Sequence, residues 1–271
     1  MAADLPPSPP PGAGSPILLS AASGGVGLSA LTSLVAREFV RRGHSSVLVD
    51  ADLEAGGLDV LLGVENDRGL RWHDLDVPSG IPDPRSLMAG LPRWDGVPVL
   101  SLRQGEEGCP SVEDVVDVVL ALASESDVVV DVGRAMRGAV MGGLAAVMGI
   151  ERMTRLLVVE LSVPGLARAR GILGGMRRPP DAVVGMQPRG MKGSRGMVPL
   201  PQACEYLGTE ILGPVPMHPA LCSDLLSGLG ASSVPRSMRG ALSGLVDVVR
   251  RRGMSDRGAV TRRGGERRRR G

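Results

Sequence analysis

Between Ser23 and Ser29 the chain reads S-G-G-V-G-L-S, three glycines followed by a hydroxyl. Glycines at Gly24, Gly25 and Gly27 let successive backbone N–H groups turn inward and approach an anion closely. With Val26, Leu28 and Ser29 they form a candidate phosphate-binding segment. A helix starting at Ser29 would add its positive dipole end, and the Ser29 hydroxyl is a ligand type suited to Mg²⁺. Carboxylates come from two other places. "VLVDAD" carries Asp50 and Asp52, and "DVVVDVGR" carries Asp131 followed by Gly133. Acids at such positions hold the hydrated shell of Mg²⁺ or orient a water. Ser29, Asp52 and Asp131 are therefore the expected metal set, and Asp52 is the candidate catalytic group. One aspartate at a strand end is often only a cap or turn; three of them beside a glycine loop point to phosphate chemistry.

The spacing approaches G-x-x-x-x-G-K-S/T, with Leu28 where that pattern has lysine. The chain has a single lysine, Lys192, far from the loop in sequence. A hydrogen bond to a charged group contributes about 1.5–3 kcal/mol. Its loss predicts affinity for a phosphate ester weaker by roughly one to two powers of ten. Hydrolysis should suffer more, because transition-state charge is where such cations act; a missing arginine finger costs about 10³–10⁵ in rate. Arg134 or Arg137 could stand in for the lysine sterically. The expectation is bound ATP or ADP with Mg²⁺, weakly, and little or no turnover.

These residues need particular elements to position them. Short β-branched runs alternate with helical patterns after residue 16. The expected strands are 17–21, 46–51, 97–102, 127–132, 156–161, 182–186 and 210–216. They are nearly continuous apolar runs, as strands buried on both faces are. Helices are expected over 29–43, 111–126, 165–176 and 238–253. The first has Leu31, Leu34, Val35 and Phe39 on one face and ends on Arg41, Arg42 and Gly43. Ser111 and Asp114 open the second close to a capping box. Alternating strands and helices imply an α/β fold, a mostly parallel sheet with helices on both faces. Ligands in such sheets bind at the carboxyl ends of the strands.

The whole chain sets wider bounds. Its 271 residues, 43% hydrophobic and 22% charged, suit a globular domain with a sizeable core. Phe39, Trp72, Trp94 and Tyr206 are the aromatics, too few for a stacking groove on single-stranded nucleic acid. No apolar run approaches a membrane span, and the first residues lack a secretory pattern, so a cytoplasmic location is expected. Cys109, Cys204 and Cys222 fit neither a disulfide framework nor metal-ligand spacing. We expect a disordered Pro-rich leader (1–16), one domain (17–252) and a disordered basic tail (253–271). From Arg250 onward ten arginines face only Asp256 and Glu266, a charge of +8, so the rest carries about −6.

The loop, "VLVDADLEAGGLDVLLG", "DVVVDVG", "LLVVELSVPGLARARGIL" and "EILGPVPMHPAL" together resemble the MinD/ParA branch of P-loop ATPases. The resemblance covers about residues 17–250, in order. In that family the loop reads K-G-G-x-G-K-S/T. Its signature lysine, which reaches across a dimer, falls at Ser23, and its Walker lysine falls at Leu28. The base-reading Asn falls at Gly185 or Met186, and the turn Asp at His218. A subgroup with loops lacking lysine comprises the CpaE/TadZ-like proteins and the actinobacterial septum-site-determining proteins. The resemblance therefore implies a spatial regulator, serving septum placement in cell division or localising a Tad-type pilus or secretion machine. Partners would be proteins of those machines and a second copy of the chain.

Three other readings stand beside this one. G-x-G-x-x-A from Gly25 to Ala30, with Asp50 downstream, also fits an NAD(P)-binding oxidoreductase. The glycine loop of a pure scaffold would persist for strand–helix packing alone. The last helix, with Met238, Leu242, Leu245, Val246 and Val249 on one face, packs on the sheet or acts as a foot on anionic membrane at the inner face of the cell. The arginine-rich end could alternatively touch nucleic acid phosphates.

Overall fold

The computed structural model describes residues 14–267 apart from 54–55, 78–79, 82, 104–108, 135–138, 190–195, 228 and 231–233. Most of the expected leader, Arg137 and Lys192 lie outside the described residues. Among those residues eight strands form one sheet. They are β1 (Pro16–Ala21), β2 (Ser46–Asp50), β3 (Arg93–Trp94), β4 (Val97–Leu100), β5 (Asp127–Arg134), β6 (Thr154–Glu160), β7 (Ala182–Met186) and β8 (Ile211–Val215). Their spatial order is β3-β4-β2-β5-β1-β6-β7-β8. Every neighbouring pair is parallel except β3 with β4. All seven expected strands are present; the two-residue β3 gave no sequence signal.

Burial matches position in the sheet. β1 lies at the centre, and all six of its residues are buried. Its side chains alternate between faces. Ile17, Leu19 and Ala21 join α1 (Leu28–Arg41), while Leu18 packs on the face covered by α4 (Val112–Ala123). Ser111 and Asp114 do form a reciprocal capping box at the start of α4, with Asp114 N–H to Ser111 Oγ at 3.1 Å and Ser111 N–H to Asp114 Oδ2 at 2.9 Å. α6 (Val163–Gly175) starts two residues before its expected position because Ser162 caps it, accepting the Gly165 N–H at 3.1 Å.

The remaining helices are α2 (Leu58–Leu62), α3 (Pro84–Gly90), α5 (Ala139–Met148), α7 (Leu200–Leu207), α8 (Pro219–Leu226) and α9 (Arg236–Arg267). The backbone of α9 continues as helix into the basic stretch beyond residue 253. Its apolar stripe of Met238, Leu242, Leu245, Val246 and Val249 is buried in the cluster shared with α1. That stripe is part of the core, so it is not a free lipid-binding face. Arg42 at the end of α1 ties the two helices together, donating from Nη2 to the Ser243 carbonyl at 2.9 Å and pairing with Asp247. No described helix is long and apolar enough to cross a membrane.

Candidate functional site

The sheet's connectivity reverses at β1, which has β5 on one side and β6 on the other. Chains leaving the carboxyl ends of such strands diverge and open a crevice. The glycine loop leaves β1 at this point and turns directly into α1. Gly27 is the N-cap of α1 at φ 89°, a left-handed conformation that favours glycine, and no side chain caps the helix. No acid lies in the first turn either. Among the described residues, no backbone N–H between Ser23 and Ser29 donates to a backbone carbonyl, the neighbouring bonds being Ala22 N–H to Val158 O and Leu31 N–H to Gly27 O. These donors and the helix's positive end therefore face an open loop.

Asp50 and Asp131 sit opposite each other in the β2–β5 register. Both are about 2% exposed. Burial pushes the Asp131 carboxyl up to about 6, against the opposing pull of hydrogen bonding from Ser29 and from the Gly133 N–H. The Gly133 N–H reaches Asp131 Oδ1 at 3.0 Å. Ser29 and Asp131, predicted from different motifs, are thus brought together. Burial also holds Asp50 well above the usual carboxylate range, reinforced by the charge of Asp131. Asp50 accepts the N–H groups of Asp52 and Leu58 at 3.2 and 3.3 Å, and its carbonyl accepts the Trp72 indole N–H at 2.8 Å. It braces the turn after β2. Buried and already hydrogen-bonded, Asp50 is not placed to accept a ribose hydroxyl, which removes the main support for the dinucleotide reading.

Asp52 lies against the backbone of Gly133: a methyl group built there would stand 2.6 Å from the Asp52 carboxyl. Gly133 also has φ 68°, so glycine is required on both counts. Ser29, Asp52 and Asp131 consequently occupy one end of the sheet beside the loop. No described group of three or more His, Cys, Asp or Glu is arranged to hold a metal ion by itself. A Mg²⁺ that takes several ligands from phosphate and water needs fewer protein ligands. One hydroxyl beside two carboxylates, next to open amide donors, fits that mode.

Leu28 answers where the missing lysine went. It is 8% exposed and belongs to the core cluster that contains Val26, Leu31 and Met186. Its side chain supports the loop from below as packing. Gly185 has no room for the base-reading Asn: an added methyl would stand 2.9 Å from Ile211 and 3.0 Å from Leu161. Met186 is buried as well. His218 caps α8, its Nδ1 accepting the Ala220 N–H at 3.3 Å.

The architecture is shared with several solved structures. A ParA-family ATPase of Chlorobium tepidum superposes with a TM-score of 0.67 at 19% identity, covering 86% of this chain and 99% of that one. The fold is that of the MinD/ParA P-loop ATPases. The MinC:MinD cell division complex of Aquifex aeolicus gives a TM-score of 0.62 at 22% identity, over 88% of this chain and 95% of the other. MinD of Pyrococcus horikoshii, complexed with Mg-ADP, gives 0.62 at 16% identity, over 87% and 94%.

Sequence relatives match over shorter spans. An uncharacterized Mycobacterium tuberculosis protein is 42% identical over 76 residues, 28% of this chain and 22% of its own length. A Tupiella akineta protein named as a septum site-determining MinD is 30% identical over 91 residues, 34% of this chain and 29% of its own length. The matched segment thus spans under a third of these relatives. No family model matches the chain. Within the MinD/ParA fold, the loop's position after the central strand and the carboxylates on the adjoining strands are where the sequence pattern put them.

Proposed function

We propose that this chain is a spatial regulator of MinD/ParA type that binds ATP or ADP with Mg²⁺ and hydrolyses it slowly or not at all. The observation that carries this is the loop itself: open N–H donors at an uncapped helix end, with Leu28 packed in the core where a cation would act. The backbone amides of Gly24, Gly25, Gly27 and Leu28, with Val26 shaping the turn, face the phosphates. Ser29, Asp52 and Asp131 hold Mg²⁺ directly or through water. When bound, the ion would neutralise phosphate charge and relieve the repulsion among the buried carboxylates. A pure scaffold would have no need to keep open N–H donors beside buried carboxylates.

The lysine-less loop supports placement in the CpaE/TadZ-like or septum-site-determining subgroup. The nucleotide would then set the state of the protein at a division site or at a pilus or secretion machine, with proteins of that machine and a second copy as partners. The work would be done in the cytoplasm or at the inner face of the membrane, where the arginine-rich end suits an anionic surface of lipid or nucleic acid. Isothermal titration with MgATP and MgADP, paired with a phosphate-release assay, tests the biochemical half. The expected result is saturable binding and phosphate release indistinguishable from buffer. A fluorescent fusion at native expression level tests the cellular half. Discrete foci at septa or poles are expected, and an even distribution contradicts the proposal.

A further inference from the structure

The glycine loop has lost both of its expected cations, yet two guanidinium groups stand beside it. A methyl group built on Gly24 would lie 3.8 Å from Arg134 Nε and 3.9 Å from its Cζ. One built on Gly27 would lie 3.5 Å from a terminal nitrogen of Arg189, beside the thioether of Met217. Arg134 is the last residue of β5, and Arg189 follows β7. β5 and β7 lie on opposite sides of β1 in the sheet. The loop is therefore bracketed by one arginine at its entry and another where it becomes helix.

Both side chains are exposed. Neither makes a hydrogen bond or ion pair among the described residues. An exposed arginine with no partner commonly extends into solvent, where its strongly favourable hydration is complete. These two instead lie against glycines, the residues that leave most room for a ligand near the backbone. Nearby, the carboxylates of Asp52 and Asp131 would by themselves repel a polyphosphate. A planar guanidinium fits phosphate oxygens bidentately and keeps its charge at any working pH.

We propose that Arg134 and Arg189 supply the positive charge absent at Ser23 and Leu28, gripping the phosphate groups of a nucleotide from two sides of the loop. This rests on the reading that the loop holds a nucleotide. Arg134 sits three positions after Asp131 on the same strand, so β5 presents an acid toward the metal side and a base toward the phosphate side. Arg189 approaches the helix end, where its charge adds to that of the dipole.

The test is titration of the full chain with MgADP and MgATP by calorimetry, comparing Arg134→Ala, Arg189→Ala, the double alanine variant and the double lysine variant. Each alanine should weaken binding about tenfold and the pair about 100-fold. The lysine pair should recover most of that loss, and raising salt should weaken the unaltered chain more than the double alanine variant. Both side chains are exposed, so melting of the ligand-free variants should match the unaltered chain; a glutamine pair of similar shape repeats the comparison if it does not. Unchanged affinity in the double alanine variant overturns the proposal and leaves nucleotide binding standing. Failure of the unaltered chain to bind either nucleotide at millimolar concentration overturns both.

Discussion

At the scale of residues, the site is defined by what is buried and what is left open. Asp131 is held near pH 6 by burial. Its ordinary value is 3.8, so between about pH 4 and 6 the folded chain binds more protons than the unfolded one. By linkage, stability without ligand rises as pH falls through that window and declines as pH rises through 6. Asp50 acts in the same direction. Asp131→Asn should therefore stabilise the ligand-free protein by about 2–3 kcal/mol at pH 7.5, with the gain fading toward pH 4, while weakening Mg²⁺-dependent nucleotide binding. Denaturant titrations at pH 5 and 7.5 check the first half, and calorimetry checks the second. Leu28 gives the opposite pattern. As a core residue, Leu28→Ala should cost about 2–3 kcal/mol of stability and change nucleotide affinity little once the variant is folded.

At the scale of elements, the strands were legible because their burial on both faces writes a continuous apolar run into the sequence. "DVVVDV" and "LLVVEL" carry almost no polar interruption, and β5 and β6 occupy the middle of the sheet. α1 and α4 were legible from a one-sided apolar stripe and a cap. The short helices α2, α3, α7 and α8 were not, since five to eight residues hold too few turns to show a period. α5 was missed because "AVMGGLAAVM" is apolar all round. Asp52 and Asp131 were legible as candidates because they end or follow strands of the pattern, and Ser29 because it follows the glycine loop. Arg134 was named only as sterically capable, and Arg189 had no signal at all, since only the folded sheet brings the end of β7 beside the loop. β7 also explains a loss. With Ile211 and Leu161 against Gly185, Gly185→Asn should overpack the β7–β8 junction, lowering stability by about 1–3 kcal/mol without improving discrimination among nucleotide bases, as melting and competition titrations would show.

At the scale of the molecule, charge is divided between an acidic body and a basic end. Seven arginines follow Gly253. A chain ended after Arg252 should keep its nucleotide affinity and elute from heparin at markedly lower salt, because contacts with a polyanion release counterions in proportion to the charges neutralised. Equal elution would show that the basic end makes no such contacts. Under the proposed function, the body's task depends on a phosphate cradle in which Leu28 is packed into the core. One measurement bears on that most directly: calorimetric binding of MgATP by the full chain, with phosphate release followed in the same samples. The account predicts saturable binding with no release above background. Rapid Mg²⁺-dependent release that disappears in Asp52→Asn would contradict it.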